Sequence, residues 1–233
     1  LPCELIDKNG DTLKECILKY AVDWNYGNDF TSWIENENHF TNTLVDRIVT
    51  GYPKDKADEM CKKFGCVDNI IDTAEIFHLW VIEGDKKYTQ ELPFGNIGLN
   101  VVLTDNVTPY KKRKVRILNG AHTMTVSPAL LAGIETVGDA MNDEQLFSFM
   151  KKGIFDEIIP TLDLPENDLK SFANDVTERF KNPFIKHQLM SIALNSVSKF
   201  KVRNLPSIMS YIKLKKSEPK HLIFSLAAMI VLY

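Results

Sequence analysis

The chain has 233 residues, 44% of them hydrophobic and 25% charged, with a net charge of −3. That length permits one large domain or two small ones with a sizeable core, and the charge balance gives the whole chain no bias toward DNA, RNA or an anionic membrane surface. Its four cysteines, Cys3, Cys16, Cys61 and Cys66, suit free thiols in a reducing cytoplasm better than a zinc site or a disulfide framework.

The opening "LPCELID" reads as the tail of a preceding domain in a chain cut from something longer. Asn9-Gly10 predicts a turn, and Leu13, Ile17, Ala21 and Trp24 then recur at helical spacing. Asp29 is placed to cap a short helix with Phe30, Trp33 and Ile34. "HFTNTLVDRIVTGYP" is apolar on one side and is stopped by Gly51 and Pro53. "EIFHLWVIEG" and "IGLNVVLTD" are rich in β-branched and aromatic residues, with Pro93 and Gly95 between them. They predict a small antiparallel β-hairpin around 74–105 in an otherwise helical chain.

From Lys112 onward the pattern is helical. Leu169, Phe172, Ala173, Val176 and Phe180 form one apolar stripe behind Pro165; Ile185, Leu189, Ile192, Ala193, Val197 and Phe200 form the next. The apolar run Leu222–Tyr233 has 12 residues, too few for a bilayer span of about 20, and predicts a buried helix. Trp24, Trp33 and Trp80 read as core, and His187 as structural. No glycine-rich phosphate loop of the GxGxxG or GxxxxGKS type occurs in the sequence. The expectation is that any nucleotide-binding half lies outside this chain.

The stretch "KVRILNGAH", Lys114 to His122, follows the basic run "KKRK". On an α-helix Asn119 would lie about 140° and His122 about 80° around from Lys114. Asn119 and His122 are three apart and so neighbours on one face, and Gly120 permits the close approach of a ligand or another backbone. A lysine amine whose pKa is lowered by burial or by neighbouring charge can exchange a proton with a carbonyl or hydroxyl oxygen. An asparagine amide can stabilise the developing oxyanion, and a histidine can orient the partners. From spacing alone, a solvated basic face with a satisfied core histidine remains the alternative.

The K-x4-N-x2-H spacing of Lys114, Asn119 and His122 resembles the polyol-specific long-chain dehydrogenases, the mannitol dehydrogenase family. "FTNTLVDRIVTGYP" and "RFKNPFIKHQLMSIALNSVSKF" resemble two further segments of that family, and the likeness covers essentially the whole chain. The resemblance implies Lys114 as general acid/base, Asn119 at the reacting oxygen, and His122 positioning substrate. It also implies Asp46 on the sugar chain and Arg179 at the substrate, with the substrate's carboxylate as the hypothesised contact of Arg179. The family asparagine of the first segment aligns with Leu5, beside Glu4, so that contact is lost or replaced.

The fold implied is mainly α, a helical C-terminal domain like those of 6-phosphogluconate-dehydrogenase-like enzymes. Residues 1–10 would be the tail of a missing N-terminal Rossmann domain, and 11–233 the substrate-binding domain, truncated at its C-terminus. NAD would be bound mainly by the absent domain, with no metal, and this fragment alone would be inactive. Among the family's branches the match points to uronate enzymes interconverting D-tagaturonate and D-altronate in galacturonate breakdown. Fructuronate reductase and mannitol dehydrogenase chemistry are the sibling alternatives, and a basic-patch interaction module is the non-enzyme one. The implied partners are a small uronate or aldonate substrate and the missing domain, with neither nucleic acid nor membrane.

Overall fold

The computed structural model describes residues 1–233 except Leu5 and Ile185, with Thr50 described in its backbone alone. The chain divides into two compact units, Leu1–Tyr110 and Lys111–Tyr233.

The first unit has strands β1 (Thr43–Asp46), β2 (Val49–Gly51), β3 (Thr73–Ala74), β4 (Leu79–Glu83) and β5 (Val101–Thr104). A three-stranded sheet has the order β1-β4-β5, and β2 and β3 form a separate ribbon. β1 is antiparallel to β4, but β5 runs parallel to it. The antiparallel hairpin expected around 74–105 is therefore not what forms. Between β4 and β5 lie a helix, Tyr88–Glu91, and a 3₁₀ turn, Phe94–Ile97. That crossover returns the chain to the same end of the sheet, as parallel pairing requires. Ile97, expected in the strand, sits in the 3₁₀ turn and is 73% exposed. Leu44, Leu79, Val81 and Val107 form the core here, with Phe77, Val102 and Tyr110 packed against it.

Two other expectations fail in this unit. Asn9-Gly10 is no turn but the start of the helix Asn9–Asp23. The Asn9 side chain accepts from Thr43 N at 2.8 Å and donates to Pro2 O at 3.1 Å, so it ties the helix start to β1. Trp24 and Trp33 are exposed, within a row of rings running Tyr20, Trp24, Tyr26, Phe30, Trp33. Each ring finds its partner along the row rather than in the core. The apolar segment 39–53 is built as β1 and β2, whose β-branched residues suit a pleated surface.

The second unit is helical and centres on Gly120–Leu131, which is buried from Gly120 to Ala129. Helices Glu144–Lys152, Leu189–Ala193, Ser196–Arg203 and Lys220–Leu232 pack against it. A predominantly apolar helix without a polar face belongs at such a centre. Gly153 lets it be approached closely: a Cβ there would fall 2.2 Å from Met124 Cε. The helix Glu166–Phe180 buries Leu169, Phe172, Ala173, Val176 and Phe180, the stripe expected. The next stripe splits at Asn195, whose φ of 59° ends one helix before Ser196–Arg203 begins. Its Ile185 lies outside the described residues. The final helix is only half-buried: Leu222, Ala228 and Met229 face inward, while Phe224, Ile230 and Val231 are exposed. Its start is capped at a distance by Glu157, whose carboxylate accepts from His221 N and Leu222 N, both at 2.9 Å.

Candidate active site

The segment Lys114–Asn119 is a π-helix, inserted between the helices Thr108–Arg113 and Gly120–Leu131. Bonding from i to i+5 widens the turn by one residue, and single π turns within helices recur at functional sites. Lys114 and Asn119 are five apart. The wider turn brings the fifth residue back toward the face of the first, closing the angle that a regular α-helix would leave between them. Regular α geometry then resumes, and carries His122 one turn beyond Asn119. Lys114 and Asn119 are both half-buried. Gly120 is approached by the backbone of Arg203 and by Asn204, whose Nδ2 donates to Gly120 O at 3.1 Å. Its missing side chain makes room for that backbone.

His122 is 8% exposed. One ring face lies on Phe180, with centroids 4.0 Å apart and planes 17° from parallel. His187 meets it edge-on at 5.2 Å. Its Nε2 is buried without a hydrogen-bond partner among the described residues. Burial holds its pKa well below the ordinary histidine range; His187, Arg203, Arg179 and Lys199 push it further the same way. His122 is thus a neutral imidazole set among cations. Thr125, one turn on, likewise has a buried hydroxyl without a partner among the described residues, and both residues line one small cavity with Phe180 and Leu189.

The cations have traceable positions. Arg179 is buried at 9% exposure, in the last turn of Glu166–Phe180, directly before the ring that stacks on His122. Arg203 donates from Nη1 to Thr123 Oγ1 at 3.1 Å, and Lys199 donates to Ile192 O at 2.8 Å. Among the described residues no carboxylate pairs with Lys199 or Arg203.

The structure brings Lys114, Asn119, His122 and Arg179 into the second unit. Asp46 belongs to the first: it ends β1, opposite Leu79, and is 2% exposed. Leu5, the position of the lost family asparagine, lies outside the described residues. Sequence reasoning missed His187, Lys199 and Arg203 as neighbours of His122. Their signal was two cations four apart on a short helix that carries no acid. The basic run is largely absorbed by the fold. Lys112 pairs with Asp163 at 3.1 Å, the Arg113 guanidinium lies 4.4 Å from the Phe172 ring centroid, and Arg116 donates to Ser207 Oγ at 3.2 Å.

The model of the mannitol dehydrogenase C-terminal domain matches residues 106–233, the lysine segment included. This chain belongs to the mannitol dehydrogenase family. The family's Rossmann-domain model matches residues 1–95. Altronate oxidoreductases of Escherichia coli O139:H28 (strain E24377A) and of Enterobacter sp. (strain 638) are each 51% identical over all 233 residues, which is 100% of this chain and 48% of each relative. The chain therefore spans about half the length of these relatives. D-sorbitol dehydrogenase, solved in substrate-free form, superposes with a TM-score of 0.85 at 28% identity, covering 99% of this chain and 46% of that one. Pseudomonas fluorescens mannitol 2-dehydrogenase, solved as a ternary complex with NAD and D-mannitol, gives 0.70 at 25% identity, covering 97% and 45%.

Two expectations are overturned by the match over residues 1–95. The chain is not a mainly α C-terminal domain alone, and the NAD-linked Rossmann domain is not absent from it. The signal that failed was the glycine-rich loop: the Rossmann-matching segment of this mannitol dehydrogenase relative carries the parallel pair β4 and β5 but no GxGxxG. A dinucleotide's pyrophosphate seeks backbone N–H groups where a glycine-rich turn opens a helix after a strand. Among the described residues no such turn follows a strand. No helix among the described residues is long and apolar enough to cross a membrane.

Proposed function

We propose that this chain is part of an NAD-linked oxidoreductase that interconverts D-tagaturonate and D-altronate. The observation carrying the reading is the π-helical turn that draws Lys114 and Asn119 toward one face, one turn from a buried neutral His122. NAD, when bound, would supply or accept the hydride. Lys114 gives a proton to the oxygen at the reduced carbon, or takes it in the oxidation direction. The Asn119 amide donates to that oxygen while it carries negative charge. His122, held neutral, keeps one nitrogen as acceptor and one as donor, which suits it to the flanking substrate hydroxyl. The family resemblance assigns a further substrate hydroxyl to Asp46 and the substrate's polar tail to Arg179. The 51% identity to altronate oxidoreductases along the whole chain supports the uronate branch over fructuronate reductase or mannitol dehydrogenase. A basic interaction module is less well supported, because Lys112, Arg113 and Arg116 are engaged within the fold. The test is NADH oxidation by the full-length protein with tagaturonate, fructuronate and fructose. Turnover is expected to be fastest with tagaturonate; equal or faster turnover of either alternative would overturn the assignment.

A further inference from the structure

Arg203 and Lys199 are four apart on the helix Ser196–Arg203, the spacing at which like charges on a helix repel. Both are partly buried, and no carboxylate of the described residues pairs with either. Burial, together with Arg203, lowers the Lys199 pKa, and burial lowers that of Arg203. His187, half-buried nearby, is pushed down by burial and by Lys199. Lys199 and Arg203 in turn lower the His122 pKa, as do His187 and Arg179. An anion beside Lys199 and Arg203 would offset the repulsion between these two charges. An uncharged polyol brings no such relief.

Arg203 is also the cation best placed to hold an anion in a fixed direction. One of its N–H groups donates to Thr123 Oγ1, the neighbour of His122 on the central helix. That bond anchors the guanidinium beside the proposed reaction site. Of the five donors of a guanidinium, the rest remain for a fork onto a carboxylate. Arg179, by contrast, is buried and already engaged within the fold.

We propose that Arg203 binds the carboxylate of the substrate, with Lys199 one turn before it as the second positive charge, so that these two residues set the preference for sugar acids over neutral sugars. The inference rests on the site described under the proposed function. The test uses the full-length enzyme with Arg203→Met and Arg203→Lys, on tagaturonate and on the neutral ketose tagatose. Inhibition constants of altronate and the matching alditol carry the comparison where tagatose turnover is slow. Arg203→Met is expected to lower kcat/KM for tagaturonate about 10- to 150-fold, the range of one lost charge-assisted contact, mostly through KM. The neutral ligand should lose much less. Arg203→Lys keeps the charge without the fork and should recover part of the loss. Equal losses on acid and neutral ligands would show that Arg203 only holds the central helix through Thr123, and would overturn the proposal. A wild-type enzyme that prefers tagaturonate while Arg203→Met keeps that preference would overturn the proposal but leave the proposed function standing. A wild-type enzyme with no such preference would overturn both.

Discussion

His122 lies flat on Phe180, 4.0 Å from centroid to centroid, with His187 at its edge. Phe180 ends the helix that carries Arg179. One apolar contact thus fixes the imidazole plane and sets a cation beside it. The ring excludes water from one face of His122, which is the first cause of its lowered pKa.

That lowering has a consequence for stability. Above pH of about 6.5 the residue is neutral in both folded and unfolded chains. Below it, the unfolded chain takes up a proton that the fold refuses. Stability therefore falls as pH drops below about 6.5, by up to about 1.4 kcal/mol per pH unit for one fully refused proton. His187, also lowered, adds a contribution of the same sign. Urea unfolding between about pH 7.5 and 5.5 should show this slope, and His122→Gln should flatten it. A variant slope equal to wild type would place the loss elsewhere.

The lysine is tested by rate rather than stability. In the full-length enzyme Lys114→Ala should lower kcat by about 10²–10⁴-fold, the usual share of proton transfer, with little change in KM. Lys112→Ala is the control, since that side chain only pairs with exposed Asp163 at 3.1 Å, an interaction worth about 0–1 kcal/mol. Steady-state kinetics of the two variants decide it: similar, mild losses would remove Lys114 from the chemistry.

Arg179 should behave differently from Arg203. As a contact to the polar tail common to acid and neutral sugars, Arg179→Met is expected to lower kcat/KM about 10- to 150-fold on both classes. Part of the loss should appear as a lower melting temperature, because the side chain is buried and engaged within the fold. A loss confined to tagaturonate would move the carboxylate to Arg179.

Gly10 tests the first unit. A Cβ there would fall 2.4 Å from Thr41 O and 2.5 Å from Thr41 C, both backbone atoms. Gly10→Ala must push the helix start off β1, at about 1–3 kcal/mol for a forced fit. Gly153→Ala closes on the far end of the flexible Met124 side chain, with His221 Cβ at an ordinary 3.5 Å, and should cost less. Thermal melts of the two variants give the order, and the reverse order would contradict the packing at Thr41.

The sequence alone determined the features that depend on neighbours along the chain. The stripe Leu169 to Phe180 is one such feature, because helical periodicity and burial demand the same residues. The spacing of Lys114, Asn119 and His122 is another, and it was enough to mark the segment and its family resemblance. What brings Lys114 and Asn119 toward one face was not legible, because a π turn is a local departure from the period on which the reading depends. Tertiary structure decided the parallel pairing of β4 and β5 through the path of the crossover between them. It also decided that Trp24 and Trp33 stay outside. The cations around His122 were the hardest to foresee. Arg179 comes from one helix and Lys199 and Arg203 from another, with His187 in the segment between them. Packing of the helix Ser196–Arg203 against Gly120–Leu131 brings Lys199 and Arg203 to one neutral ring, and the Phe180 stack brings Arg179, so charges distant along the chain act on it through space.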